Sequence, residues 1–147
     1  MTGCSKANKE KGARDKMLAN RKLDHLGLFT KEIEETVRWY CENLGFQLYG
    51  DYRTRDGFTC KFIRNAAGIA YELILPPKDA DVTFHGRIDH IAYVSEDIEA
   101  DYAECMEKGY PCTTDGVQFL ENFWERGSKY FKIATSTGEE IEFCQVL

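Results

Sequence analysis

The stretch Arg87-Ile88-Asp89-His90-Ile91-Ala92-Tyr93-Val94 decides the fold, because an earlier part of the chain repeats its pattern. Lys22-Leu23-Asp24-His25-Leu26-Gly27-Leu28-Phe29 has the same order of a basic residue, an aliphatic residue, Asp, His and then apolar residues, 65 positions earlier. The correspondence continues beyond both stretches, since Thr30 matches Ser95 and Ile33 matches Ile98. A repeat of this length in 147 residues predicts two copies of one supersecondary unit, each contributing one histidine.

Each copy is predicted to run in the order β-α-β-β-β. In the first copy, Thr30 is predicted to cap a helix that stops at Asn43-Leu44-Gly45. In the second copy, Ser95 is predicted to cap a helix that extends to Lys108. The predicted strands are 22–29, 46–53, 58–64 and 69–75 in the first copy and 87–94, 111–119, 129–135 and 140–146 in the second.

The chain organisation follows from these units. Residues 1–21 are polar and are predicted to form an N-terminal tail, and residues 22–147 to form one domain. Within the domain we predict a first module over 22–76, a linker over 77–86 that begins at a Pro-Pro pair, and a second module over 87–147.

Composition and charge exclude several classes of function. The net charge of −6, without a long basic block, argues against nucleic-acid binding. No stretch approaches the roughly 20 apolar residues of a membrane helix, so no membrane association is expected. The six cysteines form no Cys-x-x-Cys pair and no apolar signal segment precedes them, which predicts a cytoplasmic, reduced protein.

Four side chains form the candidate site. Each copy ends in a strand with an acidic residue among apolar ones, Glu72 in the first and Glu142 in the second. If the first and last strands of each copy face one cavity, His25, Glu72, His90 and Glu142 converge. Two imidazoles and two carboxylates suit one divalent first-row metal ion, and the sequence leaves nickel, cobalt, zinc, manganese and iron open.

Other side chains near this set have less specific interpretations. Asp24 and Asp89 precede the histidines, and strand alternation predicts that they point to the opposite face of the strand. A role in supporting the histidines stays open, but the sequence favours hydrogen bonding toward the helices. Phe123, Trp124 and Tyr130 fit either a pocket wall or an apolar core or dimer interface, and the sequence favours the second interpretation.

The repeated β-α-β-β-β order, with a His on the first strand and a Glu on the last strand of each copy, resembles the vicinal oxygen chelate superfamily. Within it, the chain looks like glyoxalase I (lactoylglutathione lyase) and methylmalonyl-CoA epimerase. The segments that carry the resemblance are Leu23-Asp24-His25-Leu26-Gly27, Tyr71-Glu72-Leu73, Ile88-Asp89-His90-Ile91-Ala92 and Gly138-Glu139-Glu140-Ile141-Glu142-Phe143. The resemblance implies an α+β fold in which two βαβββ modules form a curled mixed sheet with the metal at the floor of a cup. It also implies a homodimer.

The resemblance further implies a reaction class. A metal ion that binds two adjacent substrate oxygens stabilises an enediolate, while a carboxylate moves a proton next to the carbonyl. Glu142 is the first choice for this base and Glu72 the second. Keeping both glutamates resembles the isomerase and lyase branch rather than the dioxygenases or thiol transferases. The predicted activity is therefore a glyoxalase I-like lyase/isomerase acting on a small 2-oxo compound or its thiol adduct.

Two alternatives stay open at this point. One is an acyl-CoA epimerase similar to methylmalonyl-CoA epimerase, although the short linker after Glu72 leaves little chain to hold a large coenzyme. The other is a resistance-type protein that binds a small molecule without turnover, against which the complete set of four ligand residues speaks.

Overall fold

The structure is a computed structural model that describes residues 17–80, 88–134 and 140–147. Most of the predicted tail (1–21) and of the predicted linker (77–86) lies outside these ranges.

Within the described ranges the chain follows the predicted order of elements. They are β1 (Leu23–Phe29), α1 (Ile33–Leu44), β2 (Gln47–Arg53), β3 (Thr59–Arg64), β4 (Ala70–Leu75), β5 (Ile88–Val94), α2 (Ile98–Glu107), β6 (Gln118–Leu120), β7 (Ser128–Ala134) and β8 (Glu140–Val146).

All eight strands form one curled, mixed sheet in the order β2-β3-β4-β1-β5-β8-β7-β6. In each module the first strand pairs in parallel with the last, β1 with β4 and β5 with β8. The two modules meet where β1 pairs antiparallel with β5. The first strand of each module therefore lies at the centre of the sheet, where both of its neighbours contribute side chains to the concave face. The predicted α+β fold is confirmed.

Each helix covers its own module through a separate apolar core. Under α1, Ile33 packs with Phe46, Ile63 and Leu73. Under α2, a second cluster forms around two stacked rings, Phe131 and Phe143, whose centroids are 4.8 Å apart. Both rings are fully buried, and burial of this kind supplies the main driving force for folding. The helices occupy one face of the sheet and leave the other free to line a cavity.

The predicted helix caps are wrong by two residues in both modules. The first helix begins at Ile33, and Thr30 instead accepts a hydrogen bond from the Glu32 backbone N–H. In the second helix the Asp97 carboxylate, not Ser95, accepts from the Ala100 N–H. The Ser95 hydroxyl, which precedes the helix, instead donates to the carboxylate of Asp101 in the helix.

The predicted strand 111–119 is also wrong, because only Gln118–Leu120 pairs as a strand. Upstream, Cys112 makes a single bridge to Ile133, and the chain then turns at Gly116, whose φ is +66°. The Gln118 amide donates to the carbonyls of Asp115 and Gly116, which stabilises this turn in place of a ladder.

Candidate metal centre

The four predicted ligand residues come together around two small residues on the central strands. On β1, Gly27 pairs with Glu72 on one side and with His90 on the other. On β5, Ala92 pairs with Glu142 on one side and with His25 on the other. The arrangement repeats because Gly27 and Ala92 occupy equivalent positions in the two copies. All four side chains belong to one chain, and all four are buried.

The ligand atoms of these residues lie close to one another. The two Nε2 atoms of His25 and His90 are 3.0 Å apart. Glu72 Oε2 lies 3.3 Å from His25 Nε2 and 3.1 Å from His90 Nε2. Glu142 is slightly farther away, 3.9 Å from His25 Nε2 and 3.5 Å from His90 Nε2. His25, His90 and Glu142 form a cluster able to hold a metal ion, with one ligand atom each within 4.8 Å of the others. The role of all four residues as metal ligands stays a prediction.

Asp24 and Asp89 contact the histidines, contrary to the prediction that they face the helices. Each places Oδ2 2.6 Å from Nδ1 of the histidine that follows it. The register between β1 and β5 shifts at both positions, so that each aspartate is an extra residue opposite a single partner residue. Such β-bulges redirect side chains and break strict alternation. The repeated Asp-His pair was the sequence signal for this contact.

The Asp contacts determine what the histidines present to the cluster. An Nδ1 that donates to a carboxylate carries the ring proton, so the neutral imidazole keeps a lone pair on Nε2. When both imidazoles are neutral, two such lone pairs and two carboxylates meet at the centre of the cluster. Groups of this kind repel one another unless a cation lies between them. The donor set and its orientation thus fit a divalent ion.

The pKa values of His25, His90 and Glu72 also show that the cluster favours positive charge. Burial lowers the pKa of His25, but hydrogen bonds and charges from Asp24, Glu72 and Glu142 outweigh it and raise the pKa to about 10. The pKa of His90 is also raised, because Glu142, Asp89 and Glu72 together outweigh its burial. Burial would raise the pKa of Glu72, yet the two imidazoles hold it well below its usual value. The cluster thus favours positive charge at the place that suits a metal ion.

The spacing of the nitrogen atoms agrees with metal coordination. Metal–nitrogen bonds of about 2.1 Å at a right angle separate two nitrogens by roughly 3.0 Å, and at the tetrahedral angle by roughly 3.4 Å. The observed Nε2–Nε2 distance of 3.0 Å is compatible with these separations, and it is also an ordinary hydrogen-bond distance. An octahedral ion held by these four side chains would have room for substrate oxygens beside them.

Gly27 leaves the space that the His90 ring fills. A Cβ added at position 27 would lie 2.9 Å from His90 Nε2 and closer still to two other ring atoms. We expect Gly27→Ala to displace the His90 ring and to weaken metal binding. Substitutions of residues that support metal ligands typically weaken binding by about 10–100-fold, and we expect at least this loss. The measurement is metal affinity by competition with a chelator. Ala92→Gly is the matched control because it removes a methyl group at the equivalent position. Equal affinities of Gly27→Ala and the unchanged protein would contradict the assignment.

Lys132 makes the two halves of the cluster different. On β7 it pairs with Glu142 of β8, whereas the equivalent pair in the first module joins Phe62 to Glu72. Its Nζ donates to Asp89 Oδ2 at 2.9 Å and lies 3.3 Å from Glu140 Oε2. Burial opposes the charge, but these carboxylates and Glu142 raise the pKa of Lys132 above its usual value. Sequence analysis missed this residue, because an isolated Lys on a strand carries no motif.

Removing the Lys132 charge should destabilise the metal-free protein. Lys132→Met leaves Asp89 and Glu140 without their cation. Removing one partner of a fully buried ion pair lowers the free energy of unfolding by roughly 3–5 kcal/mol, and this value is an upper bound here because the Lys132 site is partly exposed. We expect a decrease of about 2 kcal/mol in the free energy of unfolding, measured with urea. Lys129→Met is the control, because Lys129 bonds the exposed Glu99 and should cost at most about 1 kcal/mol. Equal losses in the two variants would show that Lys132 has no special role.

A cavity of about 600 Å³ opens from the cluster to the surface, and the four predicted ligand residues lie among its lining. One side is aromatic and includes Phe62 and Trp124, while the opposite side includes Tyr130 and Lys132. The exposed residues Arg53 and Arg55 also line the cavity, and Arg55 pairs with Glu121 at 2.5 Å. A volume of this size is in the range of small-molecule sites.

The fold and the cluster agree with one family. The chain belongs to the Glyoxalase/Bleomycin resistance protein/Dioxygenase superfamily, whose profile matches residues 22–143. The predicted family is confirmed. The uncharacterized protein YwbC of Bacillus subtilis (strain 168) is 26% identical over 127 residues, which cover 85% of this chain and 98% of YwbC.

Solved structures share the same fold at low sequence identity. The methylmalonyl-CoA epimerase of Mycobacterium tuberculosis superposes with a TM-score of 0.72 at 17% identity, over 85% of this chain and 87% of the epimerase. A hypothetical protein of Bacillus halodurans C-125 gives a TM-score of 0.72 at 23% identity, over 87% of this chain and 96% of that protein. The description of the family itself names dioxygenases, which are enzymes. Neither helix in the described ranges has the length and apolar character to cross a membrane.

Proposed function

We propose that this protein is a divalent-metal-dependent lyase/isomerase of the glyoxalase I type, which moves a proton next to a carbonyl on a small 2-oxo compound or its thiol adduct. The observation that supports it most is the placement of two buried carboxylates, Glu72 and Glu142, beside two imidazoles at the floor of one cavity. The four side chains would hold the ion. When bound, such an ion acts as a Lewis acid that stabilises negative charge on substrate oxygens.

Glu142 is the better candidate for the base. Its carboxylate lies farther from both imidazoles than that of Glu72, so less is lost when it turns toward the substrate. Glu142 would take the proton from the carbon that bears the hydroxyl and the thiol sulfur, while the electron pair moves toward the neighbouring carbonyl oxygen. Returning that proton to the neighbouring carbon, together with transfer of the hydroxyl proton to the former carbonyl oxygen, completes an isomerisation that needs no oxidant or reductant. Glu72, between both imidazoles, would stay with the ion.

A second candidate uses the same residues. In an acyl-CoA epimerase the proton leaves and returns at the same carbon, with the second carboxylate serving the opposite face. The fold likeness to the Mycobacterium tuberculosis methylmalonyl-CoA epimerase favours this reading. Arg53, an exposed residue of the cavity lining, also suits a phosphate of a coenzyme that extends outside.

The test joins metal content to proton exchange. The protein is stripped with a chelator, reloaded with each of nickel, cobalt, zinc, manganese and iron, and its bound metal is measured by mass spectrometry. We expect about one ion per chain, since the four ligands form a single set. The loaded protein is then incubated in D₂O with 2-oxoaldehyde–thiol adducts and with 2-methylacyl-CoA thioesters, and deuterium incorporation is followed by NMR. Isomerised product from the first class supports the main proposal, and exchange in the second class alone supports the epimerase. One bound ion without exchange in either class would indicate a binding protein.

A further inference from the structure

The cavity has an aromatic wall on one side, formed by Phe58, Phe62, Phe123 and Trp124. Phe62 lies at its centre, with its ring centroid 5.1 Å from that of Trp124 and 6.2 Å from that of Phe123. The Phe62 ring also meets the His25 ring edge-on at 5.2 Å. The wall therefore begins at the candidate metal centre and extends toward the mouth of the cavity.

The wall is supported from behind. Tyr49 stacks on Trp124 with a centroid distance of 5.6 Å, and Tyr52 stacks on Phe123 at 4.9 Å. Both tyrosines come from β2 in the first module, whereas Phe123 and Trp124 follow β6 in the second. The wall thus spans the opening between the two outermost strands of the sheet, and the Arg55–Glu121 ion pair joins the same two regions.

Trp124 adopts a backbone conformation that a bulky residue rarely takes. Its φ is +60°, and it is the sole positive-φ residue other than glycine in the described ranges. Strain of this kind persists where surrounding contacts enforce it, and it clusters at ligand-binding and catalytic sites. The stacking on Tyr49 and the contact with Phe62 supply those contacts. The strained backbone places an indole ring in the lining of the cavity.

The opposite side of the cavity has a different chemistry. Tyr130 and Lys132 occupy the register positions on β7 that Cys60 and Phe62 occupy on β3. One side of the cavity thus offers flat apolar rings, and the other a hydroxyl and an ammonium. A substrate with an apolar flat group and an oxygen-rich end matches this division, whereas a methyl group leaves the aromatic wall uncovered.

We propose that the aromatic wall is a binding site for an aryl group, and that the natural substrate carries an aryl or similarly flat apolar substituent beside its oxygens. This inference rests on the proposed function, since it extends the same site. It assigns Trp124 as a specificity-determining residue. Phe123 is buried in an apolar cluster against which Trp124 packs, as the core interpretation predicts, and both residues also line the cavity.

The test compares two ligands that differ in one group. Acetohydroxamate and benzohydroxamate both present two adjacent oxygens to a metal ion, one with a methyl and the other with a phenyl group. The chain contains two tryptophans, Trp39 and Trp124, and Trp39 lies exposed on α1. In a Trp39→Phe variant the fluorescence therefore reports Trp124 alone, and calorimetry gives the dissociation constants.

We expect benzohydroxamate to bind the metal-loaded Trp39→Phe protein at least about tenfold more tightly than acetohydroxamate, and to change the Trp124 emission. Trp124→Leu should reduce that ratio to below about threefold, whereas Trp39→Phe should match the unchanged protein. Equal affinities for the two hydroxamates would overturn the aryl site and leave the metal centre standing. If the protein holds no metal, the proposed function fails. The aryl inference is then decided on the metal-free protein, where failure of benzohydroxamate to change the Trp124 emission would overturn it as well.

Discussion

Glu142→Gln is expected to lower the rate of proton exchange between substrate and solvent by about 10²–10⁴-fold, the usual contribution of a general base. The amide keeps the size of the side chain and one oxygen that can face the ion, but it cannot accept the proton. Glu72→Gln should lower the exchange rate less, because Glu72 lies within 3.3 Å of both imidazoles and is assigned to holding the ion. Exchange is measured by NMR in D₂O with saturating metal.

Two controls separate chemistry from folding and from metal loss. Glu35→Gln changes an exposed glutamate on α1 and should leave exchange unchanged. Metal content measured on each variant shows whether a slow Glu142→Gln protein still holds its ion. A Glu142→Gln protein that retains full exchange would remove Glu142 from the role of base. Equal losses in Glu72→Gln and Glu142→Gln would instead indicate that both carboxylates take part in proton transfer, as in the epimerase.

His90→Ala and His25→Ala are each expected to weaken metal binding by more than about 100-fold, beyond the range seen for changes around the ligands. Each substitution removes an Nε2 lone pair that the neighbouring aspartate directs at the cluster. The measurement is the dissociation constant by chelator competition, with thermal unfolding recorded with and without metal. A bound ion stabilises the folded state, so the unchanged protein should gain melting temperature on loading and the variants should not.

Asp24→Asn and Asp89→Asn are the matched controls for the histidine variants. The amide oxygen of Asn still accepts a hydrogen bond from Nδ1–H, but it carries no charge. We therefore expect each variant to bind the metal about 10–100-fold more weakly. Metal affinity that is the same in His25→Ala, His90→Ala and the unchanged protein would rule out the candidate centre. Loss in only one histidine variant would show that the two halves contribute unequally, and Lys132, which contacts Asp89 in the second half, gives a reason for that outcome.

How far the sequence predicts this site depends on the kind of information each feature needs. The repeat of Asp-His places both histidines at equivalent positions, and the acidic residue in the apolar last strand of each copy identifies Glu72 and Glu142 as their partners. These are local patterns, so they can be read without coordinates. The structure brings the four side chains together as predicted.

Features that depend on register could not be predicted. The alternation rule placed Asp24 and Asp89 on the wrong face, because the two β-bulges between β1 and β5 arise only when the strands pair. The importance of Gly27 is likewise a result of pairing, since its neighbour across the ladder is His90. The predicted helix caps were wrong for a related reason. Which polar residue caps a helix depends on the hydrogen bonds that each candidate makes in the folded structure.

The sequence by itself determined the two-unit architecture, its order of strands and helices, and the four residues of the candidate centre, because repeats and hydrophobic periodicity are properties of the chain. Tertiary structure decided the Asp–His contacts, the Lys132 ion pairs and the aromatic wall. Each of these joins residues from separate strands or from both modules, and such contacts exist only after the sheet has curled and its register is set.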